Sequence, residues 1–345
     1  MVSECESSLS DVHQDVHHRR RGRARVADDD ALRDGDAAQK PATGVLYRAS
    51  VRDARRAADA DVSAGDVSSV ASRRRRDAPT RDVEDVVDDA RGRVHSIETF
   101  TAVDGYGIRC VVFAQGCEKR CAFCCNVDSQ SRDARAGAST TARAILSILK
   151  RNLRYYARSG GGVTVSGGEC MLQPSFVEAI ARGAKTLGLT TCVDTAAAGD
   201  EDAWRRVLPE IDLALLCVKS VDPVKYRRIT GVKTNEEYRT MRAFLRALDA
   251  HGVETWLRFV LMTDRSERFV EYATNGEDDL RALAELSKAH ACVRGVELLP
   301  YHRFGEYKFE RMGFAYKLAG MNTPSAAEID EATAFLTSLG VDVIC

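Results

Sequence analysis

The chain contains no run approaching the ~18 apolar residues that a membrane-spanning helix needs, and nothing at its start reads as a secretory signal. It also lacks net charge: 50 Lys and Arg stand against 51 Asp and Glu, for a formal charge of −1. That balance excludes a strongly basic nucleic-acid clamp and supplies no field for an anionic membrane. A soluble protein with neither nucleic-acid nor membrane partners is expected. No short-period repeat is visible. The length of 345 residues suits one large domain or two ordinary ones, at roughly 100–200 residues each.

Large apolar side chains are few in residues 1–90, which hold no Ile, Phe or Trp and one aromatic, Tyr47. Arginine runs (Arg19 to Arg21, Arg73 to Arg76) and an acidic run (Asp28 to Asp30) take their place. Such a segment cannot offset the ~1–2 kcal/mol per residue that ordering a backbone costs. A disordered or targeting-like extension is expected over 1–90. Its single Lys against many Arg, with abundant Ala and Ser, leans toward an organelle presequence, whereas its many Asp lean against one. The cytoplasm is the expected compartment, with a chloroplast or mitochondrion as the alternative if the extension is a targeting segment.

Cysteine is plentiful by contrast. There are eleven, an odd number, and Cys117, Cys121, Cys124 and Cys125 crowd into one short stretch. Disulfide scaffolds spread their cysteines through small secreted domains. Clustered thiols in a large chain read as metal or redox ligands in a reducing compartment.

From about Arg93 short apolar runs alternate with amphipathic stretches. Candidate strands are Ile108–Ala114, Gly162–Ser166, Leu189–Asp194, Asp212–Val218, Val253–Leu261 and Arg294–Leu299. Candidate helices are Ser139–Arg158, Pro174–Leu187, Asn235–His251 and Glu277–His290, with caps at Ser139/Thr140 and Thr234/Asn235. This alternation predicts an α/β fold, a partial parallel (β/α)6-type barrel, with active groups at the C-terminal ends of its strands.

The central signal is Cys117-Glu118-Lys119-Arg120-Cys121-Ala122-Phe123-Cys124, a C-x3-C-x2-C array just after the first candidate strand. Three thiolates leave a coordination position open for a substrate. The alternative is a zinc site completed by Cys125 or a distant His. Gly167-Gly168-Glu169 reads alone as an ordinary strand–helix turn, Lys219 as a solvated strand-end lysine, His302 as a loop histidine, and Asp104-Gly105-Tyr106-Gly107 as a turn.

Together these segments resemble a known family. C-x3-C-x2-C with an aromatic before the third Cys is the signature of radical S-adenosylmethionine (SAM) enzymes. Around it, Ser96-Ile97-Glu98, Val103 to Arg109, Phe113-Ala114-Gln115-Gly116-Cys117, Gly161 to Glu169, Thr191 to Thr195 and Glu297-Leu298-Leu299-Pro300-Tyr301-His302 resemble the glycyl-radical-enzyme activases. Other activases insert a ferredoxin-like stretch with extra cluster cysteines. Its absence here resembles the branch that acts on pyruvate formate-lyase. The resemblance covers about residues 93–345.

What the resemblance implies is specific. Cys117, Cys121 and Cys124 would hold three irons of one [4Fe–4S] cluster, with SAM on the fourth. One electron would cleave SAM to methionine and a 5′-deoxyadenosyl radical, which abstracts a hydrogen atom from a glycine of pyruvate formate-lyase. Phe123, Cys125, Gly167, Gly168, Glu169, Cys217, Lys219, Ser220 and His302 would bind SAM, with Glu169 accepting from its ammonium and Lys219 meeting its carboxylate. Asp104 and Arg109 would receive the partner's glycine loop. Flavodoxin or ferredoxin would donate the electron, in an anaerobic setting, to a monomeric enzyme.

Four positions depart from the family: Tyr106 for a usual Pro, Cys125 for His or Ser, Cys217 for the Asp of an Asp-x-Lys strand end, and Thr263-Asp264 for Pro-Gly. In the family that Asp, with the pair matched by Asp194-Thr195, helps bind a monovalent cation. A thiol is a poor ligand for a hard cation, so a weakened cation site is expected at Asp194 and Thr195. The alternatives are a radical SAM enzyme acting on another substrate and a degenerate, non-catalytic metal module.

Overall fold

The computed structural model describes residues 90–133 and 135–344. The expected extension over 1–90 therefore lies, apart from Ala90, outside the described residues. Among the described residues no helix is long and apolar enough to cross a membrane.

Among the described residues nine strands form one sheet. In chain order the elements are β1 (Arg91–Thr101), β2 (Arg109–Ala114), β3 (Ala138–Thr141), α1 (Ala142–Ser159), β4 (Gly162–Gly167), α2 (Pro174–Thr186), β5 (Thr190–Thr195), α3 (Glu201–Val207), β6 (Leu213–Cys217), α4 (Pro223–Thr230), α5 (Glu236–His251), β7 (Glu254–Leu261), α6 (Glu277–Lys288), β8 (Val293–Pro300), α7 (Glu306–Arg311), α8 (Ala326–Ser338) and β9 (Val343–Ile344). The sheet order is β3-β1-β2-β4-β5-β6-β7-β8-β9. From β2 onward every pairing is parallel, while β1 runs antiparallel to both β2 and β3.

The parallel strands are apolar because helices cover them. β4 and β6 are buried along almost their whole length. Helix α1 shows how the covering layer is specified. Ala142, Ile145, Leu146, Leu149 and Tyr156 recur at helical spacing and are its buried face. Thr141 Oγ1 accepts from the Ala144 N–H at its start, and Gly160 closes it at φ 69°. Truncating a buried side chain such as Leu149 costs about 2–5 kcal/mol.

Six expected strands correspond to β2 and β4–β8, each within a residue or so of its ends. Strands β1, β3 and β9 were not expected. Ser139 and Thr140, expected to cap a helix, instead pair with Arg93 and Gly92 of β1, so the cap moves to Thr141. Asn235 is the N-cap of α5 but makes no side-chain capping bond, and Thr234 Oγ1 accepts from the Glu236 N–H instead. Residues from all six of β2 and β4–β8 line one cavity. The sheet therefore curls around that cavity as a partial barrel, with the strand C-termini facing it.

Candidate active site

The cysteine loop follows β2 directly, and its backbone is fixed from two sides. The N–H groups of Gly116 and Cys117 donate to Ser129 O and Gln130 O, at 2.8 and 3.2 Å. Those of Arg120 and Ala122 donate to Thr230 O and Ile229 O at the end of α4, at 2.7 and 2.8 Å. Arg120 Nη1 also grips the carbonyls of Cys117 and Lys119, each at 2.8 Å. A loop held this firmly can present its three thiols without further ordering.

Cys117, Cys121 and Cys124 all line the main cavity, of about 530 Å³. Burial pushes the Cys117 thiol up to about 11 and raises Cys121 and Cys124 as well. Ligation must therefore displace protons, as metal binding to thiols does. Among the described residues no three His, Cys, Asp or Glu side chains are gathered as a single ion would need. The donor set, soft sulfur on one rigid loop beside an open cavity, fits an iron–sulfur cluster.

The second wall comes from β4. Gly168 N–H donates to Ala114 O and Glu169 N–H to Gly116 O, both at 2.8 Å, which locks the Gly-Gly turn against the cysteine loop. Both glycines line the cavity, but close backbone packing also demands them. A Cβ on Gly167, at φ 112°, would lie 2.1 Å from Ala114 N, and one on Gly168 would lie 2.3 Å from Gly116 O.

Glu169 is held by the protein's own groups. It is 1% exposed and is not among the cavity-lining residues. Its carboxylate accepts from the Met171 N–H (3.0 Å), Thr195 Oγ1 (2.5 Å) and the Ala196 N–H (2.8 Å), which ties β4 to the end of β5. Two other expected site residues are also turned inward. Ser220 is buried and its hydroxyl accepts from the Asp222 N–H at the start of α4. Arg109, 1% exposed, donates to Thr164 Oγ1, Thr190 Oγ1 and the carbonyls of Tyr106, Val163 and Thr190. These bonds hold it against the N-terminal ends of β4 and β5.

The remaining expected residues converge on the cavity. Phe123, Lys219, Cys125 and His302 line it, with the Lys219 ammonium 5.3 Å from the Phe123 ring centroid. His302 Nε2 lies 3.6 Å from Cys125 Sγ, and burial lowers its pKa, favouring the neutral ring. Asp104, Asp194, Thr195 and Cys217 complete the set. Tyr106, in place of a usual Pro, packs edge-on against Trp256 at 4.9 Å and donates to Glu254, so an aromatic contact braces this turn.

Two residues escaped the sequence reading. Arg258 of β7 is buried at the centre of three carboxylates: Nε to Glu297 at 2.6 Å, Nη1 to Asp194 at 3.3 Å and Nη1 to Asp104 at 3.7 Å. Burial raises the pKa of Asp104 and Glu297, and Arg258 opposes the rise in both. Asp194 is occupied further, because Ser166 Oγ donates to Oδ2 at 2.8 Å and the Cys217 thiol to Oδ1 at 3.5 Å. Burial pushes that thiol up to about 12, so it remains neutral. A charged residue inside the apolar run of β7 was the available signal. The other missed residue is Lys119, buried within the cysteine loop. Burial works against its charge, yet Glu169, Tyr226, Glu118 and Cys117 outweigh it and raise its pKa.

Comparison with known proteins finds relatives of the chain. Residues 103–215 match the model of a 4Fe-4S single cluster domain. The chain is 41% identical over 227 residues to the pyruvate formate-lyase-activating enzyme of Clostridium pasteurianum, covering 66% of this chain and 89% of that one. It is 35% identical over 256 residues to the enzyme of the same name from Staphylococcus aureus strain USA300, covering 72% and 97%. A solved domain of pyruvate formate-lyase-activating enzyme from Bacteroides vulgatus aligns at 23% identity with a TM-score of 0.42, over 53% of this chain and 98% of that one. A radical SAM methyltransferase from Sphaerobacter thermophilus aligns at 14% identity and a TM-score of 0.49, over 68% and 65%. The chain is an enzyme with a 4Fe-4S cluster domain. It belongs to the family of pyruvate formate-lyase-activating enzymes.

Proposed function

We propose that this chain takes a hydrogen atom from a glycine Cα of pyruvate formate-lyase, with Cys117, Cys121 and Cys124 holding its cluster. The observation that carries this reading is the single cavity shared by those thiols, Lys219, His302 and Asp104. When bound, the cluster supplies the electron that opens the sulfonium of SAM to a carbon radical able to take that hydrogen. The protein binds, orients and excludes water.

Lys219 offers its ammonium to the SAM carboxylate, a charge-assisted bond. The Gly167-Gly168 backbone forms the adjoining wall, and Glu169 holds that wall in place rather than meeting SAM. Phe123, Cys125 and the neutral His302 border the adenosine. Asp104, at the cavity edge and anchored by Arg258, receives the glycine loop. Apolar groups from Phe113, Val260 and Leu299 keep the reacting space dry.

No alkali cation is needed at Asp194 and Thr195 in this reading. Arg258, Ser166 and Cys217 already occupy Asp194, and the Thr195 hydroxyl is given to Glu169. A low-potential protein, flavodoxin or ferredoxin, supplies the electron, and the enzyme works as a monomer. All nine described cysteines are unpaired, which suits a reducing compartment such as the cytoplasm.

The test is anaerobic reconstitution with iron and sulfide, then dithionite and SAM, with 5′-deoxyadenosine measured with and without pyruvate formate-lyase. Product that rises with the partner supports the proposal. Product indifferent to the partner moves the activity to another substrate.

A further inference from the structure

Lys119 lies between Cys117 and Cys121 on the cysteine loop and is 1% exposed. A lysine is rarely buried this completely unless it is paired. Its Nζ donates to Ala197 O at 3.0 Å and pairs with Glu118 Oε1 at 3.1 Å, the Glu118 side chain being 32% exposed. Its neighbour Arg120 faces outward by contrast.

The loop that supplies the Ala197 carbonyl is itself unusual. Ala197 sits at φ 63°, the one non-glycine among the described residues in the left-handed region. Such a conformation is unfavourable for a residue with a Cβ and persists only where its surroundings hold it. Here the Ala197 N–H donates to Thr195 Oγ1 at 2.9 Å, and Thr195 donates to Glu169. The loop is thus clamped in the shape that brings its carbonyl to the ammonium.

We propose that Lys119 is a positioning residue that fixes a positive charge beside the cluster and thereby makes its one-electron reduction easier. This rests on the reading that Cys117, Cys121 and Cys124 hold the cluster. The step adds one electron from an external low-potential donor, breaks no bond and moves no proton. The cluster becomes one unit more negative, so a fixed cation stabilises the reduced form more than the oxidised one. Burial limits screening by water and salt, which strengthens the effect. Glu118 and the buried carboxylate of Glu169 both work against Lys119, Glu118 the less for its exposure to water, so the quantity that reports on Lys119 is the change on removing its ammonium from that fixed set.

The test is an anaerobic redox titration of the reconstituted full chain, followed by the EPR signal of the reduced cluster. Lys119→Met shifts the midpoint to a more negative potential, Lys119→Arg restores it, and Glu118→Gln shifts it the opposite way. A Lys119→Met protein with full iron and sulfide and an unchanged midpoint overturns the proposal. If Lys119→Met holds no cluster, Glu118→Gln decides: a positive shift supports the proposal and an unchanged midpoint overturns it. Wild-type protein that takes up no cluster overturns both this proposal and the reading beneath it.

Discussion

The two halves of the cavity are built in opposite ways. One is the cysteine loop, in which a few consecutive residues carry all three expected ligands. The other is the Arg258 centre, where Asp104, Asp194 and Glu297 arrive from the turn before β2, from β5 and from β8 to meet one guanidinium of β7. The first is a local device that any fold could carry if the loop is held. The second exists only when the sheet is assembled, and each of its charges depends on the others for compensation. Losses in the first half should therefore abolish chemistry and leave the fold, while losses in the second should cost stability as well.

The largest effect is expected in the loop. Replacing Cys117, Cys121 or Cys124 with Ala removes the cluster and all SAM cleavage, while circular dichroism stays that of the wild type. Iron and sulfide analysis with product measurement checks this. Turnover retained in all three variants would break the comparison at its root.

Next comes Arg258→Met. It strands three carboxylates around an uncharged side chain, and breaking a buried pair costs about 3–5 kcal/mol. Urea unfolding should show that loss even in protein without a cluster. A loss below about 1 kcal/mol, the scale of an exposed pair, would mean the centre is solvated.

Glu169→Gln should cost about 1–3 kcal/mol, the price of buried donors left with a weaker acceptor. It should leave SAM affinity largely unchanged if the carboxylate only braces the wall. A large loss of affinity at unchanged stability would return Glu169 to the role of ammonium acceptor.

The fourth prediction concerns potassium. SAM affinity of the wild type should not respond to it, and Cys217→Asp should create a response by adding a hard oxygen ligand beside Asp194. Equilibrium binding with and without the salt reads both arms, and strong dependence in the wild type contradicts the occupied Asp194. The smallest effect is at Cys125→Ser, where the cluster and most turnover should survive. Loss of iron there would make Cys125 a ligand.

Sequence alone carried much of this, for physical reasons that differ by region. The parallel strands are continuous apolar runs because helices cover them, so β2 and β4–β8 could be read directly. Strand β1 interleaves Arg, His, Ser, Glu and Thr with few apolar residues, because much of it is exposed, and it gave no run to find. Ser139 and Thr140 suit a cap or an edge strand equally well, and only pairing with β1 decides between them. The cysteine array was legible because ligand spacing is local. Arg109, Glu169 and Ser220 came to the site through the family resemblance, and a resemblance in sequence does not report that their side chains are buried and bonded within the protein. Lys119 and Arg258 were missed for the complementary reason: their partners lie 78 and 39 residues away along the chain, at Ala197 and Glu297.

The most direct test of the central claim, one cavity that carries both the cluster chemistry and the partner's glycine, follows the hydrogen itself. Pyruvate formate-lyase labelled with deuterium at its glycine Cα positions is mixed anaerobically with the reconstituted chain, SAM and dithionite, and the 5′-deoxyadenosine is analysed by mass spectrometry. The account predicts one deuterium in the product, together with a glycyl radical EPR signal on the partner. Unlabelled 5′-deoxyadenosine and a partner without a radical would contradict it.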